Sequence, residues 1–337
     1  MSEIDARVAP VHKAEPAAAS GVEGLKSQMT LPLIVAPMFL VSGPELVLAA
    51  CREGVIGSFP FPNGRTIEVL DEWMARINRE HAAARAAHPG QKIAPWAANM
   101  VVHSSYDRLR EELDLVAKHR PPVVITALGS PAAVIEVVHG YGGLVFADVN
   151  SVAFARRAAA LGVDALVLVA AGAGGHTGTM AGFSFVSAVR EFFDGAVVLA
   201  GSICDGRAVR AAEVLGADFA YMGTAFIAAR ESMASDAYRQ MVVDSSVEDL
   251  VVTNVFTGGS ASYMRRSIDN VGLDPDNLSS KSKMDLTGSQ EQIKGWKDVW
   301  SAGQGVGSVK RIQPTAEIVA QLQRDYHAAV DLPSFER

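Results

Sequence analysis

Short apolar runs alternate with amphipathic stretches along most of the chain. Eight of the runs read as strands: LPLIVAPM (31–38), GVIGSFPF (54–61), PWAANMVV (95–102), PVVITAL (122–128), GLVFADV (143–149), ALVLVAA (165–171), AVVLAGSI (196–203) and FAYMGTAF (219–226). They are nearly continuous in apolar residues rather than alternating, as parallel strands covered on both faces must be. The stretches between them, such as TIEVLDEWMARINREHAAAR and SYDRLREELDLVAKH, carry helical periodicity. Strand–helix units in unbroken succession predict an α/β fold, specifically a (β/α)8 TIM barrel; a doubly wound sheet rarely needs so many consecutive parallel strands.

The pattern changes on either side of this core. Residues 1–28 read as an N-terminal arm and 29–230 as the barrel. Residues 231–308 are polar, rich in Ser and Asp, and show no clean strand. They predict a mostly helical insertion after the eighth strand, at the C-terminal mouth where barrel active sites are built. Residues 309–337 predict a C-terminal helix returning to the barrel. The insertion can serve as a cap over a site, as a packing appendage or as an oligomer contact.

Composition narrows the function. Of 337 residues, 49% are apolar and 20% charged, ample for a large core. The net charge of −7 and the lack of a basic stripe argue against a nucleic-acid partner. No apolar run is long enough to span a bilayer, and the first residues carry acidic groups without an apolar core, unlike a secretory signal. Cys51 and Cys204 form no disulfide or ligand pattern, so a reducing, cytoplasmic setting and no metal are expected.

Four motifs carry chemistry. In LAGSICDGRAVRAAEVLGADFAYMGTAF (199–226), one strand ends in Gly201-Ser202 before a helix opens at Asp205-Gly206-Arg207, and the next ends in Gly223-Thr224. Small residues at both turns let backbone N–H groups approach a phosphate, and a helix N-terminus adds its dipole. The bland alternative is ordinary tight turns. AAGAGGHTG (170–178) places Gly175 and His176 in a glycine-rich loop at a strand end, where an imidazole can transfer a proton near neutral pH or merely hold a loop or ligand. Ala36-Pro37-Met38 closes the first strand, and the Met38 sulfur suits a flat aromatic ring. WSAGQGVGSV (300–309) would let the backbone or Gln304 approach a ligand. Asn99, Ala127 and Gly129, at strand ends, are further candidates for lining a pocket.

APM, GGHTG, AGS…DGR…LGAD…MGT and AGQG, in this order from about residue 30 to 310, resemble the nitronate monooxygenase (2-nitropropane dioxygenase-like) family of FMN-dependent barrel enzymes. The resemblance implies that Ala36, Met38, Gly175, Gly201, Ser202, Gly223, Thr224 and Gln304 surround FMN and that His176 is catalytic. It implies oxidation of alkyl nitronates by O2, with a small-molecule substrate and a possible homo-oligomer. Two sister activities share the outline, so an NAD(P)H-dependent reductase of a quinone or an enoyl thioester remains an alternative, as does an inert FMN-binding protein. The APM opening leans towards the monooxygenases.

Some relatives have Lys at the end of the fifth strand, near the flavin, where this chain aligns Asp148. An ionised carboxylate there would disfavour an anionic reduced ring. Asp148 therefore points elsewhere, pairs with a cation, or caps a helix. Ser202-Ile203-Cys204 is superficially similar to the catalytic loop of inosine monophosphate dehydrogenases, but it lies inside the phosphate turn itself, and Cys204 is expected to be a small buried residue.

Overall fold

The computed structural model describes residues 21–278 and 297–332. Within the runs read as strands lie β1 (Leu33–Val35), β2 (Gly57–Pro60), β3 (Trp96–Val101), β4 (Val123–Ala127), β5 (Leu144–Val149), β6 (Ala165–Val169), β8 (Ala196–Ala200) and β9 (Phe219–Met222). All are parallel, in the order β1-β9-β8-β6-β5-β4-β3-β2. The barrel closes where Val35 N donates to Ile56 O at 2.8 Å and Ile56 N donates to Leu33 O at 3.1 Å. The expected (β/α)8 barrel is thus present. Its strands are shorter than the apolar runs, because the residues after each strand turn out at the mouth.

Helices α2 (Pro44–Arg52), α3 (Ile67–Ala87), α4 (Leu109–His119), α5 (Ala132–Gly140), α6 (Val152–Ala160), α7 (Gly182–Arg190) and α8 (Gly206–Leu215) follow the strands, and α12 (Thr315–Val330) returns to pack against α8. The barrel interior is a separate apolar cluster built from Ile34, Ile56, Ile125, Phe146, Val167, Val198, Phe219 and Tyr221 among others. These positions recur every second residue, so each strand sends one face inward and the other to the helices.

Two expectations need correction. Of the N-terminal arm, 1–20 lie outside the described residues, but the rest is not loose: Val22–Ser27 form helix α1. Leu25 and Met29 join the interior cluster, closing the floor of the barrel, and Lys26 Nζ lies 2.8 Å from Asp218 Oδ1. Nor is 231–308 free of strands. After α9 (Thr224–Ile227) and α10 (Asp236–Val243), strands β10 (Leu250–Thr253) and β11 (Ala261–Met264) form an antiparallel hairpin before the short α11 (Arg265–Asp269). Residues 279–296 lie outside the described residues. The hairpin escapes a reading of local pattern because LVVT is half-exposed and β11 completes its pairing with a strand far away in sequence.

Candidate active site

The C-terminal ends of β8 and β9 carry the first group of candidates. Gly201 and Ser202 both adopt left-handed backbone, with φ of 109° and 57°. For Gly201 any side chain would be strained, and a Cβ would also lie 2.8 Å from Ala171 O. Ser202 Oγ donates to Gln304 Oε1 at 2.9 Å, Gln304 N donates to Gly172 O at 2.9 Å, and Gly303 N donates to Thr224 Oγ1 at 2.9 Å. A Cβ on Gly172 would fall 2.2 Å from Ser202 Oγ. The motifs of 170–178, 199–203, 223–224 and 302–304 therefore meet as one backbone-lined cradle, where only small residues allow such approach.

Gly223 joins this cradle to the first strand. A Cβ there would lie 3.3 Å from Met38 Sδ and 3.5 Å from Ala36 Cβ. The Met38 turn is pinned by Asn63, which sequence reasoning missed. Its Oδ1 accepts from Leu40 N at 2.8 Å, and its Nδ2 donates to Met38 O at 3.0 Å and Ser42 O at 2.7 Å. Nothing in the FPNG segment announces that role, which depends on β1 and β2 being neighbours.

The helix that opens after Gly201-Ser202 contributes less than its sequence suggested. Asp205 Oδ1 accepts from Ala208 N at 2.9 Å and fills the first turn of α8. Gly206 is small because a Cβ would meet Leu322 O of α12 at 2.0 Å. Cys204 is half-buried rather than buried; burial and the neighbouring Asp205 push its thiol pKa up, away from a nucleophilic thiolate.

His176 is not on a loose loop. Gly175–His176 form β7, the outer strand of a three-stranded antiparallel sheet with the order β10-β11-β7. Ala261 pairs with His176 and Ser262 with Gly175, while Thr177 N donates to Ser260 O at 3.0 Å. Ser262 Oγ donates to Ala302 O at 2.7 Å, so the same hairpin also grips the segment carrying Gly303 and Gln304. Burial lowers the His176 pKa and keeps the ring neutral at physiological pH. A neutral imidazole offers one donor and one acceptor, suited to orienting a ligand or taking its proton.

The remaining candidates line the top of the barrel. Asn99 is buried and donates through Nδ2 to Ile125 O at 3.2 Å, and Ala127 lies at the end of β4. Gly129 packs the neighbouring loop, since a Cβ would lie 2.2 Å from Val102 O. Asp148 does not cap a helix: α6 is capped by Ser151, whose Oγ accepts from Phe154 N. Instead Asp148 lies within β5, two residues after the inward-facing Phe146. Burial pushes its carboxyl up to about 7, and no cation pairs with it among the described residues.

The profile of the nitronate monooxygenase family matches residues 24–325. The chain belongs to that family. It is accordingly an oxidoreductase enzyme of monooxygenase type. Among curated relatives, a nitronate monooxygenase of Paraburkholderia phytofirmans is 25% identical over 350 residues, covering 89% of this chain and 93% of its own. A probable nitronate monooxygenase of Staphylococcus aureus is 27% identical over 271 residues, covering 71% and 75%. Solved structures share the fold. FabK from Thermotoga maritima superposes with a TM-score of 0.72 at 21% identity, over 91% of this chain and 95% of its own. A nitroalkane oxidase from Streptomyces ansochromogenes gives 0.72 at 22%, over 91% and 98%. No helix among the described residues is long and apolar enough to cross a membrane.

Proposed function

We propose that this chain binds FMN non-covalently at the barrel mouth and oxidises alkyl nitronates with O2. The observation that carries the reading is the convergence of Gly201-Ser202, Gly223-Thr224 and Gly303-Gln304 into one cradle beside the strand that presents His176. FMN fits this cradle because turns of small residues, left-handed at Gly201 and Ser202, let backbone amides approach a phosphate. When bound, FMN supplies the one-electron redox chemistry between nitronate and oxygen.

The chain's own residues do the rest. The turns at Gly201-Ser202 and Gly223-Thr224 hold the phosphate end. Ala36 and Met38 offer a small surface and a polarisable thioether to the ring. Asn99, Ala127 and Gly175 line the pocket. His176, neutral and with its backbone held by β11, orients the nitronate oxygens through its N–H or accepts a proton at its unprotonated ring nitrogen. The reading makes the protein a cytoplasmic enzyme with a small-molecule substrate and O2 as partners, and leaves room for a homo-oligomer.

Anaerobic mixing of the yellow protein with propionate 3-nitronate, NADH or NADPH tests this directly. The nitronate is expected to change the flavin spectrum, and the pyridine nucleotides to leave it unchanged on that timescale. Rapid bleaching by NADH or NADPH would replace this reading with a reductase. No response to any of the three would favour an FMN-binding protein without turnover.

A further inference from the structure

Two buried polar atoms on the strands of the barrel interior have no hydrogen-bond partner among the described residues: Asp148 Oδ1 and Tyr221 Oη. Their positions are related. Phe146 on β5 and Phe219 on β9 pack across the interior with ring centroids 6.4 Å apart. Asp148 and Tyr221 each lie two residues further along these same strands, so they face inward one layer nearer the mouth. Burial holds the Tyr221 phenol pKa well above its ordinary value, and the neighbouring Asp148 carboxyl, when charged, raises it further. Tyr221 is also two residues before Gly223, so this layer lies directly beneath the cradle.

Buried donors and acceptors are rarely left unmade. A carboxyl and a phenol orphaned together under an open site mark the place where a ligand supplies their partners. The inward neighbours on the flanking strands, Ile125 and Ala127 of β4 and Val167 and Val169 of β6, carry no charge. Neither a cation nor a second carboxylate faces Asp148 from them, and Tyr221 is the titratable group coupled to it.

We propose that Asp148, as a neutral acid, and Tyr221 form a hydrogen-bond-donating floor under the ligand site, built for a planar ring with an acceptor edge. The inference rests on the reading of the mouth as an FMN site, whose ring is of that class. It also accounts for the acidic residue aligned where some relatives have Lys: the site supplies a protonated donor, not a cation. Because burial pushes the carboxyl up to about 7, the donor form is lost as pH rises through that value, and ring binding weakens with it.

The test is a titration of the apoprotein with riboflavin and with FMN, followed by quenching of flavin fluorescence from about pH 6 to about pH 9, spanning the Asp148 transition. Riboflavin has no phosphate, so its pH profile isolates the ring. Wild-type affinity for riboflavin is expected to fall by up to about tenfold per pH unit above neutrality, the signature of one retained proton. Asp148→Asn keeps a neutral donor and should bind with a flat profile. Tyr221→Phe should bind a few-fold more weakly while keeping the wild-type profile. A flat wild-type profile, or one that Asp148→Asn shares, would overturn the inference while FMN binding stands. Failure of the wild-type apoprotein to bind FMN at any pH would remove the FMN reading and this inference together.

Discussion

The turns that close β8 and β9 and the strand that carries His176 sit at the same end of the barrel, yet they are held by different means. The turns are extensions of barrel strands. Their geometry follows from left-handed backbone at Gly201 and Ser202 and from glycines too closely packed to bear a Cβ. His176 is held from outside the barrel, by pairing with β11 of the insertion. The two turns are thus written into local residue types, although Gly303 and Gln304 complete the cradle from the insertion, whereas the position of the imidazole depends on a hairpin more than 80 residues later in the chain (Ala261 against His176). A barrel can therefore keep its cofactor turns and vary its chemistry by changing what the insertion presents.

The largest expected effect falls on the cradle. Gly201→Asp puts a carboxylate where a phosphate would sit and forces a side chain onto a φ of 109°. Flavin affinity should fall by a factor of at least about 10², with a stability cost of roughly 1–3 kcal/mol from backbone strain. Equilibrium dialysis against FMN, with circular dichroism to verify the fold, checks this. Retained FMN affinity in the folded variant would show that the phosphate lies elsewhere.

His176→Ala should keep FMN and lose turnover by about 10²–10⁴-fold, the usual worth of a positioned acid or base. Burial lowers the His176 pKa below its ordinary 6.5, so a rate inflection from its protonation should appear below that value. His176→Asn separates the roles. If the ring acts as a base, activity stays low and the inflection disappears. If it only orients substrate by hydrogen bonding, Asn restores much of the rate.

The contrast also explains what the sequence made legible. The barrel was readable because strands buried on both faces must be apolar throughout, and the turns because GS and GT leave few other reasons for glycine at those points. The hairpin was not, since β11 completes its pairing with the distant β7 and its burial comes from tertiary neighbours such as Phe256, whose ring packs edge-on against Tyr263 at 4.9 Å. Asn63 was invisible for the same reason: its three hydrogen bonds run to a different strand's loop. Asp148 was visible as a departure, but its strand periodicity had to be seen in three dimensions to show that it faces the interior. Gly206 shows the opposite error, a glycine beside a ligand turn whose smallness serves helix packing.

The hairpin of the insertion is what positions His176, through pairing of β11 with β7. Tyr263 anchors the hairpin core, fully buried with Phe256, Ile268 and Val299, and its removal should cost about 3–5 kcal/mol. That cost should fall mainly on the hairpin. A double-mutant cycle between Tyr263→Ala and His176→Ala, read out as FMN affinity and nitronate turnover, tests the claim most directly. Tyr263→Ala alone should lower turnover by roughly 10–10²-fold, through misplacement of the ring, and weaken FMN binding by less than that, because the hairpin also grips the segment with Gly303 and Gln304. The double variant should be no slower than His176→Ala, because no imidazole remains to be misplaced. Multiplying losses, or a loss of FMN affinity in step with turnover, would contradict the account.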